Sequence, residues 1–155
     1  MNPAQGAMID RQELPPGSAE DTMADRVLSR ILHIQAQRLG DAPFLDICGR
    51  SVSFAGIDRL SNQLAHGLRE LGVAQGDRVA ILLPNCLEFI ATWFAAAKLG
   101  AIEVPSNPDL RGDLLTHNLH SCGAHVLVTD GTALQEIARL QPSLPLIRTL
   151  ILIPR

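Results

Sequence analysis

Histidines, cysteines and a scatter of aspartates are the residues of this 155-residue chain whose types could carry acid–base, nucleophilic or metal chemistry. Their spacing assigns them none of it. His117 and His120 stand three apart on one helical segment and could in principle ligate a metal, but no third ligand is placed by spacing, so a solvated helix face is the simpler reading. Asp46, Asp58, Asp77 and Asp130 show no pairing that singles out a general acid and a general base. Asp130 before Gly131 is the acid expected at a strand-to-helix turn, and Gly76-Asp77 reads as a turn rather than a phosphate loop. Cys48, Cys86 and Cys122 lie far apart with no C-x-x-C pair, which points to buried reduced thiols rather than a metal or redox motif. Trp93 beside Phe94 reads as helix packing in a chain with 3% aromatic residues. The patterns G-x-G-x-x-G, G-x-x-x-x-G-K-[ST], H-E-x-x-H and G-x-S-x-G are all missing from the sequence. No catalytic residue and no metal ligand is therefore assigned.

The elements that would position a site are easier to read. Arg78 to Pro105 forms one βαβ crossover. Arg78 to Leu83 is an almost wholly apolar run, suited to a strand covered on both faces, and Pro84 ends it. Asn85 is expected to cap the next helix with Glu88 as a capping-box acid, and Gly100 to stop that helix. Ala101 to Val104 is then a second strand, parallel to the first by right-handed crossover. Upstream, Met1 to Asp21 is rich in Pro and Gly and is expected to be a disordered tail. A helix starting at Asp21 or Thr22 should gather Val27, Leu28, Ile31, Ile34 and Leu39 near one face and end at Gly40. Phe44 to Cys48 and Ser51 to Phe54 suggest a hairpin around Gly49-Arg50, with Gly first in a type II′ turn. Ser53 is the expected N-cap of a helix carrying Ile57, Leu60, Leu64, Leu68 and Leu71.

Downstream, Ser106, Asn107 and Pro108 form a loop, and Leu110 to Ser121 a helix with Leu114, Leu115 and Leu119 as core contacts, closed by Gly123. His125 to Thr129 is a third parallel strand, Thr132 to Leu140 a helix, and Thr149 to Ile153 a fourth strand after Pro142 and Pro145. Strand starts near residues 78, 101, 125 and 149 recur as repeated βαβ units require. The fold class expected is α/β: a mainly parallel sheet with helices on both faces, an N-terminal helix and a small hairpin. A net charge of −3, with 13 basic and 16 acidic residues interspersed, gives no basic stripe for nucleic acid and no polybasic segment for a membrane. No window approaches the roughly 18 apolar residues of a membrane span, so a cytoplasmic location is the default expectation.

The ordered run from Ser53 to Asp130 resembles the N-terminal part of the AMP-forming adenylate synthetases, acyl-CoA synthetases especially. Ser53-Phe54 followed by Ile57 is similar to the family's Ser/Thr-Tyr-x-x-Leu opening, and Gly76-Asp77-Arg78-Val79-Ala80 to its strand entry. Most specific is Lys98-Leu99-Gly100-Ala101-Ile102-Glu103-Val104-Pro105 with Asn107-Pro108 after it, and Gly123-Ala124 before Val126-Leu127-Val128 matches the next strand. Departures stand at Asp109, where many relatives carry arginine, and at Gly56, where they often carry an acid. Arg111-Gly112-Asp113 is similar to a sequence found in carnitine or crotonobetaine CoA ligases.

The resemblance implies a division into a tail, residues 1–21, and an incomplete N-terminal subdomain of an AMP-binding domain, residues 22–155. For the complete enzyme it implies ATP, magnesium and CoA, with a small-molecule carboxylate as substrate. The family's Ser/Thr/Gly-rich phosphate loop ending in Pro-Lys, its adenine contacts and its catalytic lysine match nothing between Met1 and Arg155. No cofactor is therefore expected on this chain alone, and no activity. Arg111, in the loop from Ser106, is the one candidate cofactor-binding residue, because in some relatives this neighbourhood approaches CoA. The alternative is a non-catalytic binding module whose apolar faces self-associate.

Overall fold

A computed structural model describes residues 27–154. The expected tail at 1–21 and the start of the first helix at Asp21 or Thr22 lie outside them. The chain runs α1 (Leu28–Leu39), β1 (Pro43–Ile47), β2 (Arg50–Ser53), α2 (Phe54–Glu70), β3 (Arg78–Leu82), α3 (Leu87–Leu99), β4 (Ile102–Pro105), α4 (Gly112–Cys122), β5 (Val126–Asp130), α5 (Leu134–Leu140) and β6 (Thr149–Ile153). Strands β3 to β6 form one parallel sheet in the order β4-β3-β5-β6, while β1 and β2 form a separate antiparallel pair.

Alternation along the strands divides the core into two layers. Val79, Ile81, Leu83, Val126 and Val128 face α2 and α3, meeting Ala65, Leu68, Ala95 and Ala96. Ala80, Leu82 and Leu127 face the other way, toward Leu115 and Leu119 of α4 and Ile137 and Leu140 of α5. Helices thus cover both faces, which is why Val79 to Leu82 of β3 and Val126 to Val128 of β5 can be apolar without a break. The direction of the connections agrees: β3 to β4 crosses by α3 one way, and β4 to β5 to β6 returns by α4 and α5 on the opposite face. A third cluster joins Leu32, Ile57, Leu87, Ala91 and Phe94 with Phe44, Ile47 and Val52 of the hairpin, fixing α1 and the hairpin to the outside of α2 and α3.

Several local expectations need correction. The hairpin turn is Cys48-Gly49, with φ of 51° and 73°, so that Ile47 pairs with Arg50. Two consecutive positive φ values suit a type I′ turn, and Gly serves at its second position rather than first in a type II′ turn. Helix α3 is capped by extended Cys86, whose side chain makes no capping hydrogen bond, and not by Asn85. Glu88 consequently sits one residue nearer the helix end than a capping box needs. The buried face of α1 runs through Leu32 and Ala36, leaving Leu28, Ile31 and Leu39 exposed. On α4, Leu115 and Leu119 are buried, but Leu114 is 69% exposed because one residue turns about 100° off their stripe. Leu71, the C-cap of α2, is also exposed. Of the cysteines only Cys86 is buried; Cys48 lies exposed at the turn and Cys122 is intermediate.

Ser53 caps α2 as expected, its hydroxyl accepting from the Gly56 N–H at 3.0 Å. Gly56 occupies the position of a capping-box acid, so this hydroxyl carries the cap without a reciprocal partner. Ser53→Ala should therefore lower stability by about 1 kcal/mol in urea unfolding, and an unchanged midpoint would show that the cap contributes nothing.

Candidate functional site

In a parallel sheet, ligands gather at the carboxyl ends of the strands, where neighbouring connections leave in opposite directions. Here that point lies between β3 and β5. The loop after β3 carries Pro84, Asn85 and Cys86, and the loop after β5 carries Gly131 and Thr132. Thr129 Oγ1 donates to the Leu82 carbonyl at 3.1 Å, stitching the two strand ends together. Asp130 is buried, and its carboxylate accepts from the Thr132 N–H at 2.9 Å and from the Thr132 hydroxyl. This is the turn role that its place before Gly131 suggested.

A groove of about 240 Å³ opens at the same end of the sheet, lined by Ile47, Cys48, Arg50, Cys86, Leu87, Glu88 and Pro154. Its two charged groups are paired, Arg50 Nη1 to Glu88 Oε1 at 3.1 Å. The Glu88 carboxyl is held below its usual range, first by the backbone N–H in its own helical turn, then by Cys86 and Arg50, against the opposing effect of burial. Ionised at neutral pH, it is an acceptor and not a proton donor.

The loop from Ser106 to Arg111 follows β4, the sheet margin, one strand away from the point of reversal. Ser106 N–H donates to the Ile81 carbonyl at 2.9 Å, and its hydroxyl meets Asn118 Oδ1 at 2.8 Å. Asn107 Oδ1 accepts from the Asp109 N–H at 2.9 Å, an Asx turn. Arg111 is exposed, and its Nη1 donates to the carbonyls of Pro108 at 2.6 Å and Leu110 at 2.7 Å. The N-terminus of α4 is closed by α5: Glu136 Oε1 accepts from the Gly112 N–H at 2.6 Å and from Arg139 Nη2 at 2.7 Å. Arg139 first, then the Gly112 N–H, lowers the Glu136 carboxyl to about 2, so this link persists at all but strongly acid pH.

Sequence reasoning missed one constellation. Lys98 Nζ of α3 lies 2.6 Å from Asp58 Oδ1 and 2.7 Å from Asn62 Oδ1 of α2, and His33 of α1 approaches the second Asp58 oxygen at 3.4 Å. Both members of the Lys98–Asp58 pair have side chains only 12% exposed. Lys98 opens the most specific stretch of the resemblance, and its role is to join three helices. Gly100, two residues on, takes the left-handed conformation at φ 68°, with Gln75 Cγ 3.1 Å from where a Cβ would stand. Glu103 of the same stretch accepts from Trp93 Nε1 at 2.6 Å. The residues that identify the segment are thus occupied in holding α3 between α2 and the sheet.

The described residues do not fit a nucleoside triphosphate. Near the strand ends Thr129 is bonded to the Leu82 carbonyl, Asp130 to Thr132 and Glu88 to Arg50, and among the described residues no glycine-rich run follows β3 or β5. Nor, among the described residues, do three or more His, Cys, Asp or Glu side chains converge where they could hold a metal ion. His117 faces Ser121 at 3.4 Å on the outside of α4.

Known proteins place this scaffold. The family described as AMP-binding enzyme matches residues 32–155. The chain is 30% identical over 136 residues to 4-coumarate–CoA ligase 3 of Oryza sativa subsp. japonica, covering 86% of this chain and 24% of the relative. It is 42% identical over 80 residues to the crotonobetaine/carnitine–CoA ligase of Salmonella paratyphi A, covering 52% of this chain and 16% of the relative. The fold superimposes on the N-terminal domain of FACL13 from Mycobacterium tuberculosis with a TM-score of 0.74 and 27% identity, over 81% of this chain and 33% of the other. The chain spans about a quarter of the length of the rice ligase. It belongs to the AMP-binding enzyme family, and matches the N-terminal part of its acyl-CoA ligases.

Proposed function

We propose that these residues form the N-terminal scaffold of an enzyme that joins a small-molecule carboxylate to ATP with release of pyrophosphate, then passes the acyl group to the thiol of CoA with release of AMP. The 155-residue chain alone catalyses neither step. The observation that carries this reading is the ordered segment from Ser53 to Asp130, which folds into the βαβ core yet has its polar groups engaged in scaffold bonds. Stabilising a transferring phosphoryl group takes positioned cations and N–H donors, and those belong to the rest of the complete enzyme, together with magnesium and the acyl pocket. Among the described residues no helix is long and apolar enough to cross a membrane, and the reading places the protein in the cytoplasm. Purified chain incubated with ATP, magnesium, CoA and a panel of carboxylates should release no AMP above a blank. Sustained AMP release would overturn the proposal.

Within the complete enzyme, Arg111 is the residue assigned to CoA, on its exposure and its place beyond a strand's carboxyl end. Its guanidinium would exchange the carbonyls of Pro108 and Leu110 for an anionic group of the cofactor. Arg111→Ala in a complete enzyme should weaken CoA affinity roughly tenfold, about 1.4 kcal/mol, while leaving carboxylate-dependent pyrophosphate exchange unchanged. Equal CoA affinity in the two proteins would remove Arg111 from the site.

A further inference from the structure

The three cysteines lie far apart in sequence, but the fold brings two of them to one place. Cys48 stands in the turn between β1 and β2, and Cys86 is the N-cap of α3. Both line the groove of about 240 Å³ at the carboxyl end of the sheet. Two links hold their segments together: Cys48 Sγ lies 3.5 Å from the Asn85 carbonyl oxygen, and Arg50 Nη1 lies 3.1 Å from Glu88 Oε1. All four of these residues stand between Cys48 and Glu88, so the contact draws on nothing outside residues 27–154.

Covalent geometry limits how far apart the two cysteines can be. In a trans peptide the Asn85 oxygen stands about 2.8 Å from the Cys86 Cα. Cys48 Sγ is therefore at most roughly 6.3 Å from that Cα. A disulfide places each sulfur about 4 Å from the opposite Cα, and turning χ1 from one staggered well to the next carries a sulfur about 3 Å. The remaining gap is of the size that one rotamer change covers. Cys48 and Gly49 are exposed turn residues with no core packing to lose in the movement.

Access to the two thiols differs. Cys48 is exposed, whereas Cys86 is 3% exposed. A reagent in solvent meets Cys48, and Cys86 is reached only from within. Cys48 is also the one non-glycine with positive φ among the described residues, at 51°. The first central position of a type I′ turn favours Asn, Asp or Gly, so a cysteine there gains the turn nothing. Such disfavoured backbone conformations gather where function sets the residue. Cys122 offers the contrast: its Sγ donates to the Leu119 carbonyl at 3.2 Å within α4, in the layer on the opposite face of the sheet.

We propose that Cys48 is a modification site for a small-molecule disulfide, and that Cys86 resolves the adduct into a Cys48–Cys86 disulfide. The Cys48 thiolate attacks one sulfur of glutathione disulfide, breaking that S–S bond and releasing one glutathione thiolate. Cys86 gives its proton to solvent, attacks Cys48 Sγ and displaces the second glutathione. Two protein thiols are oxidised to one disulfide, and one glutathione disulfide is reduced to two thiols. The product ties the hairpin turn to the start of α3, and excess thiol reverses it. The proposal does not rest on the adenylation reading, since it concerns the 155-residue chain with no substrate present.

Incubation of the purified chain with glutathione disulfide, followed by alkylation of the remaining thiols and mass mapping of the monomer's tryptic peptides, tests it. Peptides 39–50 and 79–98 should appear as one linked species that separates on reduction, with Cys122 outside it. Folding should favour the link, so half closure should need at least a tenfold higher ratio of squared glutathione thiol to glutathione disulfide in the folded chain than in concentrated urea. Cys86→Ser should halt the reaction at a glutathione adduct on Cys48, and Cys48→Ser should leave Cys86 unmodified, each with an unchanged circular dichroism spectrum. A folded wild-type chain that takes no glutathione, or that keeps the Cys48 adduct without the link, overturns the proposal. A link through Cys122, or half closure at the same ratio in urea, overturns it equally. Where Cys86→Ser does not fold, the peptide map and the urea comparison on wild type decide the matter.

Discussion

Lys98→Ala should destabilise the chain by about 3 kcal/mol, the cost of leaving one member of a buried ion pair without its partner. Asp58 would keep His33 at 3.4 Å and the Asn62 amide at 3.4 Å. Neither replaces an ammonium at 2.6 Å in surroundings that leave the side chain 12% exposed. Burial by itself raises the Asp58 carboxyl; the hydrogen bond and charge of Lys98, then His33, outweigh it and hold the group below its usual value. A carboxyl depressed in the folded state contributes stability that is complete above its unfolded value of about 3.9 and is lost as pH falls through the folded one. Wild type should therefore lose stability as the medium is acidified below about pH 4, and Lys98→Ala should lose less over that range. With the lysine gone, the remaining burial moves whatever titration Asp58 shows upward. Urea unfolding at several pH values reads both effects. The pairing is structural, so Asp58→Leu combined with Lys98→Met should recover a large part of the loss; a double variant as unstable as the sum of the singles would argue against a coupled pair.

Phe94→Ala should cost about 4 kcal/mol, within the usual range for an aromatic deleted from a core. Phe94 is 8% exposed and packs where α1, the hairpin and α3 meet. Its ring lies 6.1 Å from that of Phe44, inclined at 62°, and 6.2 Å from the indole of the adjacent Trp93. Phe44 in turn meets Phe54 at 4.9 Å. Removing the central ring leaves a cavity that α1 and the hairpin can fill only by moving. The loss should fall first on those elements, so amides of β1 and β2 should exchange faster than those of β3 and β5. Uniform acceleration across the sheet would show that the hairpin cluster is not a separate layer.

The parallel sheet was legible because its strands are short apolar runs at regular intervals, bounded by Gly and Pro. That pattern has one economical solution, helices on both faces. Errors arose where two local arrangements share a composition. Gly49 suits either central position of a primed turn, and only the pairing of Ile47 with Arg50 decides between them. Asn85 and Cys86 both precede α3, and the cap fell to the residue with the extended backbone rather than the one with the better side chain. On α1 the apolar residues spread over a broad face, so which of them forms the buried stripe depends on what α2 and α3 present to it. Leu32 was selected by Ile57 and Phe94, which lie far away in sequence.

The candidate site was legible only as a family likeness. Asp58 and Lys98 are separated by 40 residues, and nothing in their immediate neighbourhoods announces the pair. Read from the sequence, Lys98 to Pro105 is a fingerprint. Read from the structure, Lys98 clamps α3 to α2, Gly100 turns the chain, and Glu103 holds Trp93. A segment can thus identify its family closely while its side chains are committed to architecture, and the resemblance alone does not separate those roles. Arg111 stayed where the sequence put it, exposed beyond β4, but at the sheet margin rather than at the point where the connections reverse.

The central claim is that these 155 residues supply scaffold and none of the adenylation chemistry. Isotope exchange between pyrophosphate and ATP tests this most directly, because it reports formation of the acyl-adenylate without any demand on CoA transfer. With magnesium, ATP and a panel of aromatic, short-chain and long-chain carboxylates, the folded chain should give no exchange above that of a blank. Exchange that appears only when a carboxylate is added, and that scales with chain concentration, would contradict the account.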